Sequence, residues 1–333
     1  MVKTVQTIIR KVDARVARAY LALRNEQPGL LCFLFHSLFR NQREIEQNHV
    51  NPLDRTTVAM FRDLIAYYTD CGYRFVTPDD VLSGLDPKGR HAMLTFDDGY
   101  YNNRLALPIL EKFDVPALFF ISTNHVRQQK CFWWDVLYRE RLAEGTDERE
   151  AYHDGVAMKS MRTGEIEAEL VARYGPNALQ PRGDIDRPFT ADELADFAGH
   201  PLVHLGNHTA DHAILTNYPA DEVRQQVEQC QQALHEMTGK RPTTIAYPNG
   251  NVDDQVVGIC REIGLKLGFT IVPQKNRLPL AHHGDPMRLH RFVPHCELPI
   301  AEQCHTYRSD VLLYASFRQT FLRLFRRGTA VSA

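Results

Sequence analysis

Nothing in this 333-residue chain is organised around its cysteines. The seven, Cys32, Cys71, Cys131, Cys230, Cys260, Cys296 and Cys304, are odd in number and include no CxxC pair. That scatter excludes a disulfide framework or a zinc knuckle and reads as reduced thiols in a reducing compartment. Charge of one sign is also missing: the formal net charge of −2 excludes the basic excess that a nucleic-acid-binding protein needs. No apolar run can span a bilayer, since the longest, at 30–39, is broken by His36 and Ser37. Residues 1–29 contain no uninterrupted apolar stretch followed by a small-residue cleavage site, so the expectation is a cytoplasmic protein. Internal repeats and low-complexity tracts are absent as well.

The chain is 44% hydrophobic and 24% charged, enough apolar material for one large α/β domain or two medium ones. Apolar runs that read as buried strands fall at 30–35 (LLCFLF), 92–96 (AMLTF), 117–122 (ALFFIS), 202–206 (LVHLG), 243–248 (TTIAYP) and 268–272 (GFTIV). Helical patterns lie between them. One places Val58, Phe61, Leu64, Ile65 and Tyr68 on a single face before a stop at Gly72; another runs over 219–238 to a stop at Gly239. Strand–helix alternation predicts a parallel sheet, and the polar residues at the strand ends suit a barrel-like fold with its site there. From about 126 to 200 the chain turns charged and helix-prone, which predicts a helical insertion inside a barrel covering 29–300.

Both ends read as amphipathic helices. Residues 1–28 place Val5, Ile8, Ile9, Val12, Val16, Ala19, Tyr20 and Leu23 at helical spacing among lysines and arginines. Residues 301–333 carry Leu313, Phe317, Phe321, Leu324 and Phe325 beside Arg318, Arg323, Arg326 and Arg327. Basic amphipathic helices can lie peripherally in a membrane interface, and packing on the barrel is the equally good alternative.

Chemistry concentrates at two strand ends. The stretch TFDDGY (95–100) puts adjacent carboxylates, Asp97 and Asp98, directly after a buried strand and before Gly99. Adjacent aspartates repel, and in a regular strand they face opposite sides. A turn at Gly99 lets both aim at one pocket, where one can hold a cation and the other stay free as a base. The second motif, HTADH (208–212), spaces His208 and His212 so that both imidazoles can converge on one ion. Among 15 histidines such a pair arises by chance, but with the strand-ending Asp-Asp-Gly it makes an open metal site. Magnitudes favour a metal: free water is about 12 pKa units beyond an aspartate and metal-bound water about 3, a proton-transfer deficit of about 16 against about 4 kcal/mol.

Together with IAYPNG (245–250), LFHSL and GYRFVTPDDVL, these motifs resemble the polysaccharide deacetylases, the carbohydrate esterases with the NodB homology domain. The similarity spans roughly residues 30–294. It implies a distorted (β/α)7 TIM-like barrel, with Asp98, His208 and His212 as metal ligands and Asp97 as catalytic base. The metal would be zinc, with Co2+, Ni2+ or Mn2+ as alternatives. The expected activity is removal of N-acetyl groups from an amino sugar of a surface polysaccharide or its nucleotide- or lipid-linked precursor. The backbone N–H of Asn249 would stabilise the oxyanion, and Thr209 would brace the histidine loop. Two departures stand out. Ala246 occupies the place of a family arginine that restrains the catalytic aspartate, leaving Arg291 as the candidate substitute. The family's late leucine–histidine motif has no clear match; RLHRFVPH offers His290, the favoured general acid of the two, and His295, and a buried structural histidine is the stronger reading of each. Candidates for substrate contact are Tyr100, Tyr247, Trp133, Trp134 and His36, with Phe132 beside the tryptophans. The tryptophans could equally anchor the insertion, His36 could belong to the core, and Asp135 could cap a helix.

Two other functions fit the same residues. The barrel could hydrolyse a ureide, cyclic amide or formyl group, or it could be a decayed, carbohydrate-binding scaffold.

Overall fold

The computed structural model describes residues 2–51 and 55–309. Seven strands form one parallel sheet: β1 Gly29–Phe35, β2 Arg74–Phe75, β3 Arg90–Phe96, β4 Ala117–Ile121, β5 Val203–Asn207, β6 Thr244–Ala246 and β7 Leu267–Phe269. The order is β1-β3-β4-β5-β6-β7, and β2 pairs with the start of β3, where Arg74 faces His91. β1 and β3 run in register from Gly29↔Arg90 to Phe35↔Phe96. The sheet curls, and residues 289–292 join its two edges: Leu289 bridges Phe269 of β7, and Phe292 bridges Phe33 of β1. The backbone bonds Leu289 N–H to Gly268 O (2.7 Å) and Phe292 N–H to Cys32 O (2.8 Å) complete that closure. The result is the distorted parallel (β/α) barrel that the sequence predicts.

Alternation along the strands explains the two layers. Leu30 and Cys32 of β1 share a buried cluster with Met93, Phe120, Ala246, Phe269 and Leu289 inside the barrel. Leu31, Phe33 and Phe35 face the other way, onto helix Val58–Asp70, through Phe61, Leu64, Ile65 and Tyr68. All seven residues of β1 are buried, which is why it reads as a continuous apolar run. The Val58–Asp70 helix starts where Thr57 accepts a hydrogen bond from Met60 N–H, and Gly72, at φ 71°, follows it. Helix Ala220–Thr238 stops at Gly239, also at φ 71°. β2 went unpredicted because two residues are too few to carry a periodicity. The expected strands at 243–248 and 268–272 shrink to three residues each, since the chain leaves the sheet to build turns at the barrel mouth.

Between β4 and β5 lie helices Thr123–Gln128, Trp133–Ala143, Glu148–Met158, Thr163–Tyr174 and Ala191–Ala198. Trp133, Val136, Leu137, Ile166 and Leu170 give this segment a small core of its own. The N-terminal helix Val2–Leu23 buries Asp13, Ala14 and Ala17 and packs on helix Ile300–Ser309. Ile8, Val12, Val16 and Leu23 stay exposed. No helix among the described residues is long and apolar enough to cross a membrane. The apolar stripe expected at Leu313–Phe325 lies outside the described residues. All seven cysteines are free, and burial pushes the thiols of Cys32, Cys230 and Cys260 up to about 12.

Candidate metal centre and active-site cleft

The end of β3 delivers both aspartates. Asp98 takes φ 76° and Gly99 φ 93°, so the turn needs two left-handed residues rather than the single glycine expected. A Cβ on Gly99 would press within 3.1 Å of the Ile121 side chain, which adds a steric reason for glycine there. Four of the eight non-glycine residues with positive φ among the described residues, namely Asp98, Thr209, His212 and Asn249, sit at this mouth. Each such conformation costs on the order of 1–3 kcal/mol, a strain that persists only where surroundings enforce it.

The end of β5 delivers the histidines from a compact loop, not a helical turn. Thr209 N–H donates to Asn207 Oδ1 (2.8 Å), and Thr209 Oγ1 accepts from Ala213 N–H (2.8 Å), bracing the loop from within. His208 Nδ1 lies 2.8 Å from Ala246 O; a carbonyl only accepts, so Nδ1 carries the proton and Nε2 presents its lone pair. His208 Nε2 and His212 Nε2 lie 3.4 and 3.3 Å from Asp98 Oδ1. Ligand atoms of Asp98, His208 and His212 all fall within 4.8 Å of one another.

Asp98 tests whether these residues fit a cation. Its carboxylate is buried, yet neither oxygen accepts a hydrogen bond. A buried unsatisfied group costs about 1–3 kcal/mol, and more when charged. Burial, followed by the neighbouring His208, holds His212 well below the usual histidine range, so its imidazole is neutral. One orphaned carboxylate facing two imidazole nitrogens is a donor set that a divalent cation satisfies.

Asp97 is held quite differently. Arg291, fully buried on the barrel-closing segment, donates Nη1–H to Asp97 Oδ1 (2.7 Å) and Nη2–H to Oδ2 (2.8 Å). Arg291 is itself fixed by Thr270 O (2.9 Å) and Thr95 Oγ1 (3.1 Å). Burial alone would raise the Asp97 pKa; the Arg291 charge, His208 and the two hydrogen bonds outweigh it and hold the carboxyl below its usual range. The arginine absent from position 246 is thus replaced by one entering from another strand edge. Asp97 Oδ2 lies 3.9 Å from His208 Nε2, so base candidate and ligand candidates share one pocket.

A cleft opens above these groups, lined by His36, Asn51, Asp98, Trp133, Trp134 and His212. Tyr152, Gly155, Val156, Lys159, Ile214 and Asn249 complete it. The Trp134 ring sits 4.4 Å from the His212 ring, and Phe132 stacks between Trp134 and His125. Asn249 adopts φ 58° in the Pro248–Gly250 turn, and its N–H pairs with no acceptor among the described residues.

Four candidates are not brought to the cleft. Tyr247 is fully buried and donates its hydroxyl to Met287 O (2.9 Å). Tyr100 is buried one layer behind, donating to Asp135 Oδ2 (2.7 Å) and accepting from Trp134 Nε1–H (3.0 Å). His290 does not line the cleft: next to the inward-pointing Arg291 its ring lies beside Thr270 Oγ1 (3.5 Å). His295 is mostly buried, which pushes it down to about 3, and its Nδ1 accepts from Glu297 N–H. Asp135 is no helix cap. It lies inside helix Trp133–Ala143, fully buried, where burial raises its pKa well above the carboxylate range. Sequence reasoning missed Tyr152, Val156 and Lys159, whose one signal was their i, i+4, i+7 spacing in a charged helix.

The sequence model described as polysaccharide deacetylase matches residues 84–268. Among curated proteins none matches. Similar solved structures include the Streptococcus pyogenes deacetylase PplD, 17% identical, with 84% of this chain and 98% of that one covered at a TM-score of 0.55. IcaB from Ammonifex degensii is 18% identical over 86% of this chain and 98% of its own, TM-score 0.56. A de-N-acetylase from Aggregatibacter actinomycetemcomitans is 14% identical over 83% and 99%, TM-score 0.55. At these identities the likeness is one of fold, and it agrees with the sequence match: the chain belongs to the polysaccharide deacetylase family.

Proposed function

We propose that the chain is a metal-dependent deacetylase removing N-acetyl groups from an amino sugar of a surface polysaccharide or its nucleotide- or lipid-linked precursor. Asp98, His208 and His212 hold the cation. When bound, a divalent ion such as zinc supplies Lewis acidity toward the acyl oxygen and lowers the pKa of water. Asp97 takes the proton from the attacking water. Its two oxygens offer about four acceptor sites, so Arg291 can pin the carboxylate and still leave lone pairs for that proton. The N–H of Asn249 points its dipole at the developing oxyanion, a donor whose loss typically costs about 3 kcal/mol. Trp133, packed in the insertion core, backs the cleft wall, and Trp134 offers its ring face to a pyranose. The departing amine needs a proton from a group other than His290, whose ring lies away from the cleft lining.

The observation that carries this reading is the Asp98 carboxylate, buried and without a hydrogen bond, between two imidazole nitrogens. Metal analysis of the purified protein, followed by an acetate-release screen on polymeric, UDP-linked and polyprenyl-linked N-acetyl amino sugars, tests it. About one divalent ion per chain and chelator-sensitive acetate release are expected. Intact acetylated sugars of every linkage, with metal supplied, would end the reading.

A second reading concerns location. The exposed Ile8, Val12 and Val16 recur every four residues on helix Val2–Leu23, away from the packed Ala14 and Ala17, among exposed Lys11, Arg15 and Arg18. An apolar stripe flanked by bases fits the headgroup layer of an anionic membrane, placing the enzyme at the cytoplasmic face.

A further inference from the structure

One face of helix Glu148–Met158 and its C-terminal cap lines the cleft: Tyr152, Gly155, Val156 and Lys159 recur at i, i+3, i+4 and i+7. Tyr152 and Val156 keep 48% and 43% of their surface exposed although they border a concave site. Lys159 is half buried. Its Nζ donates to Asn249 Oδ1 at 2.6 Å, a neutral acceptor, and no carboxylate among the described residues pairs with it. An ammonium has three donors, so two remain for a further partner. Asp98, the one carboxylate on the cleft lining among the described residues, already faces His208 and His212. Burial holds the Lys159 ammonium below the usual lysine range, a penalty that an anion opposite it relieves.

We propose that Lys159 recognises an oxyanion on the substrate, so that the preferred substrate is an N-acetylated amino sugar carrying a phosphate or a carboxylate, its ring packed against Tyr152 and Trp134. This rests on the deacetylase reading above and narrows its substrate class. Lys159 belongs to the segment between β4 and β5, so substrate choice lies with that segment while the barrel ends carry the reaction. A charge-assisted hydrogen bond in a partly desolvated cleft is roughly twice as strong as a neutral one, which makes the lysine a discriminating contact.

The test compares acetate release from a neutral N-acetylglucosamine oligomer, N-acetylglucosamine 1-phosphate and N-acetylglucosaminuronic acid by the metal-loaded wild type, Lys159→Gln and Lys159→Arg. The last two sugars separate phosphate from carboxylate as the source of the charge. In the wild type at least one anionic sugar should exceed the neutral one tenfold or more in kcat/KM. That ratio should collapse at least tenfold in Lys159→Gln and survive in Lys159→Arg. Equal use of neutral and anionic sugars by the wild type overturns the proposal, as does an equal loss on all three in Lys159→Gln. If the wild type hydrolyses none of them, the deacetylase reading is decided by the wider screen of linkages above, and calorimetry with the same three sugars decides the inference by itself. Binding of an anionic sugar that weakens tenfold in Lys159→Gln upholds it; no anionic binding ends it.

Discussion

At the scale of single residues, the two adjacent aspartates are separated by their partners rather than by their positions. Arg291 grips Asp97 with two hydrogen bonds, while Asp98 has none. Asp97→Asn replaces the proposed base with a carboxamide that cannot take a proton, so kcat should fall by about 10²–10⁴ while bound metal per chain stays unchanged. Steady-state kinetics beside elemental analysis checks both halves. His208→Ala or His212→Ala should show the reverse order of loss, with metal content falling first. Arg291→Met strips a buried ion pair of one partner, which typically costs about 3–5 kcal/mol, and should lower the urea midpoint accordingly. It should also raise the Asp97 pKa, since the largest lowering influence is gone. A denaturation midpoint equal to that of the wild type would contradict the pair's structural role.

At the scale of elements, strand ends and caps decide where these side chains sit. Helix Ala191–Ala198, which leads into β5, starts on a capping box: Thr190 Oγ1 accepts from Glu193 N–H, and Glu193 accepts from Thr190 N–H. Arg187, with that cap, holds Glu193 at about 2 against its usual 4.5. A depressed acid contributes stability that is present above its unfolded pKa and lost as pH falls through its folded one. Glu193→Gln should therefore flatten the wild-type stability loss between about pH 4.5 and pH 2, read as Tm against pH. The group is about one-third exposed, so the effect is small but signed.

At the scale of the whole molecule, the site exists because the barrel closes. Asp97 and Asp98 end β3, the histidines follow β5, Asn249 follows β6, and Arg291 arrives on the segment bridging β7 to β1. A cation held by residues from two strands should stabilise the folded chain by about 2.7 kcal/mol at one hundred times its dissociation constant. Chelation should lower the Tm reversibly, which scanning calorimetry with EDTA and re-added zinc measures. Vesicle sedimentation probes the outer surface. Wild type should partition onto anionic but not neutral vesicles, and Val12→Asp with Val16→Asp should abolish it. Equal partition by the double variant would remove the N-terminal stripe from consideration.

The runs at β1, β3, β4 and β5 were legible because strands buried on both faces are continuously apolar, a property of neighbouring residues alone. The Asp-Asp-Gly and HxxxH motifs were legible for the same reason: their spacing is local. Beyond the motifs that the family resemblance joined and the candidacy of Arg291, what links distant positions was decided by tertiary structure. The pairing of Arg291 with Asp97 spans 194 residues, and no period links them. The turning away of Tyr247 and His290 from the cleft depends on which face of each strand end the barrel curls inward. So does the arrival of Lys159 at Asn249, 90 residues further along, because a helix can show its face to a cleft only after another element has built one.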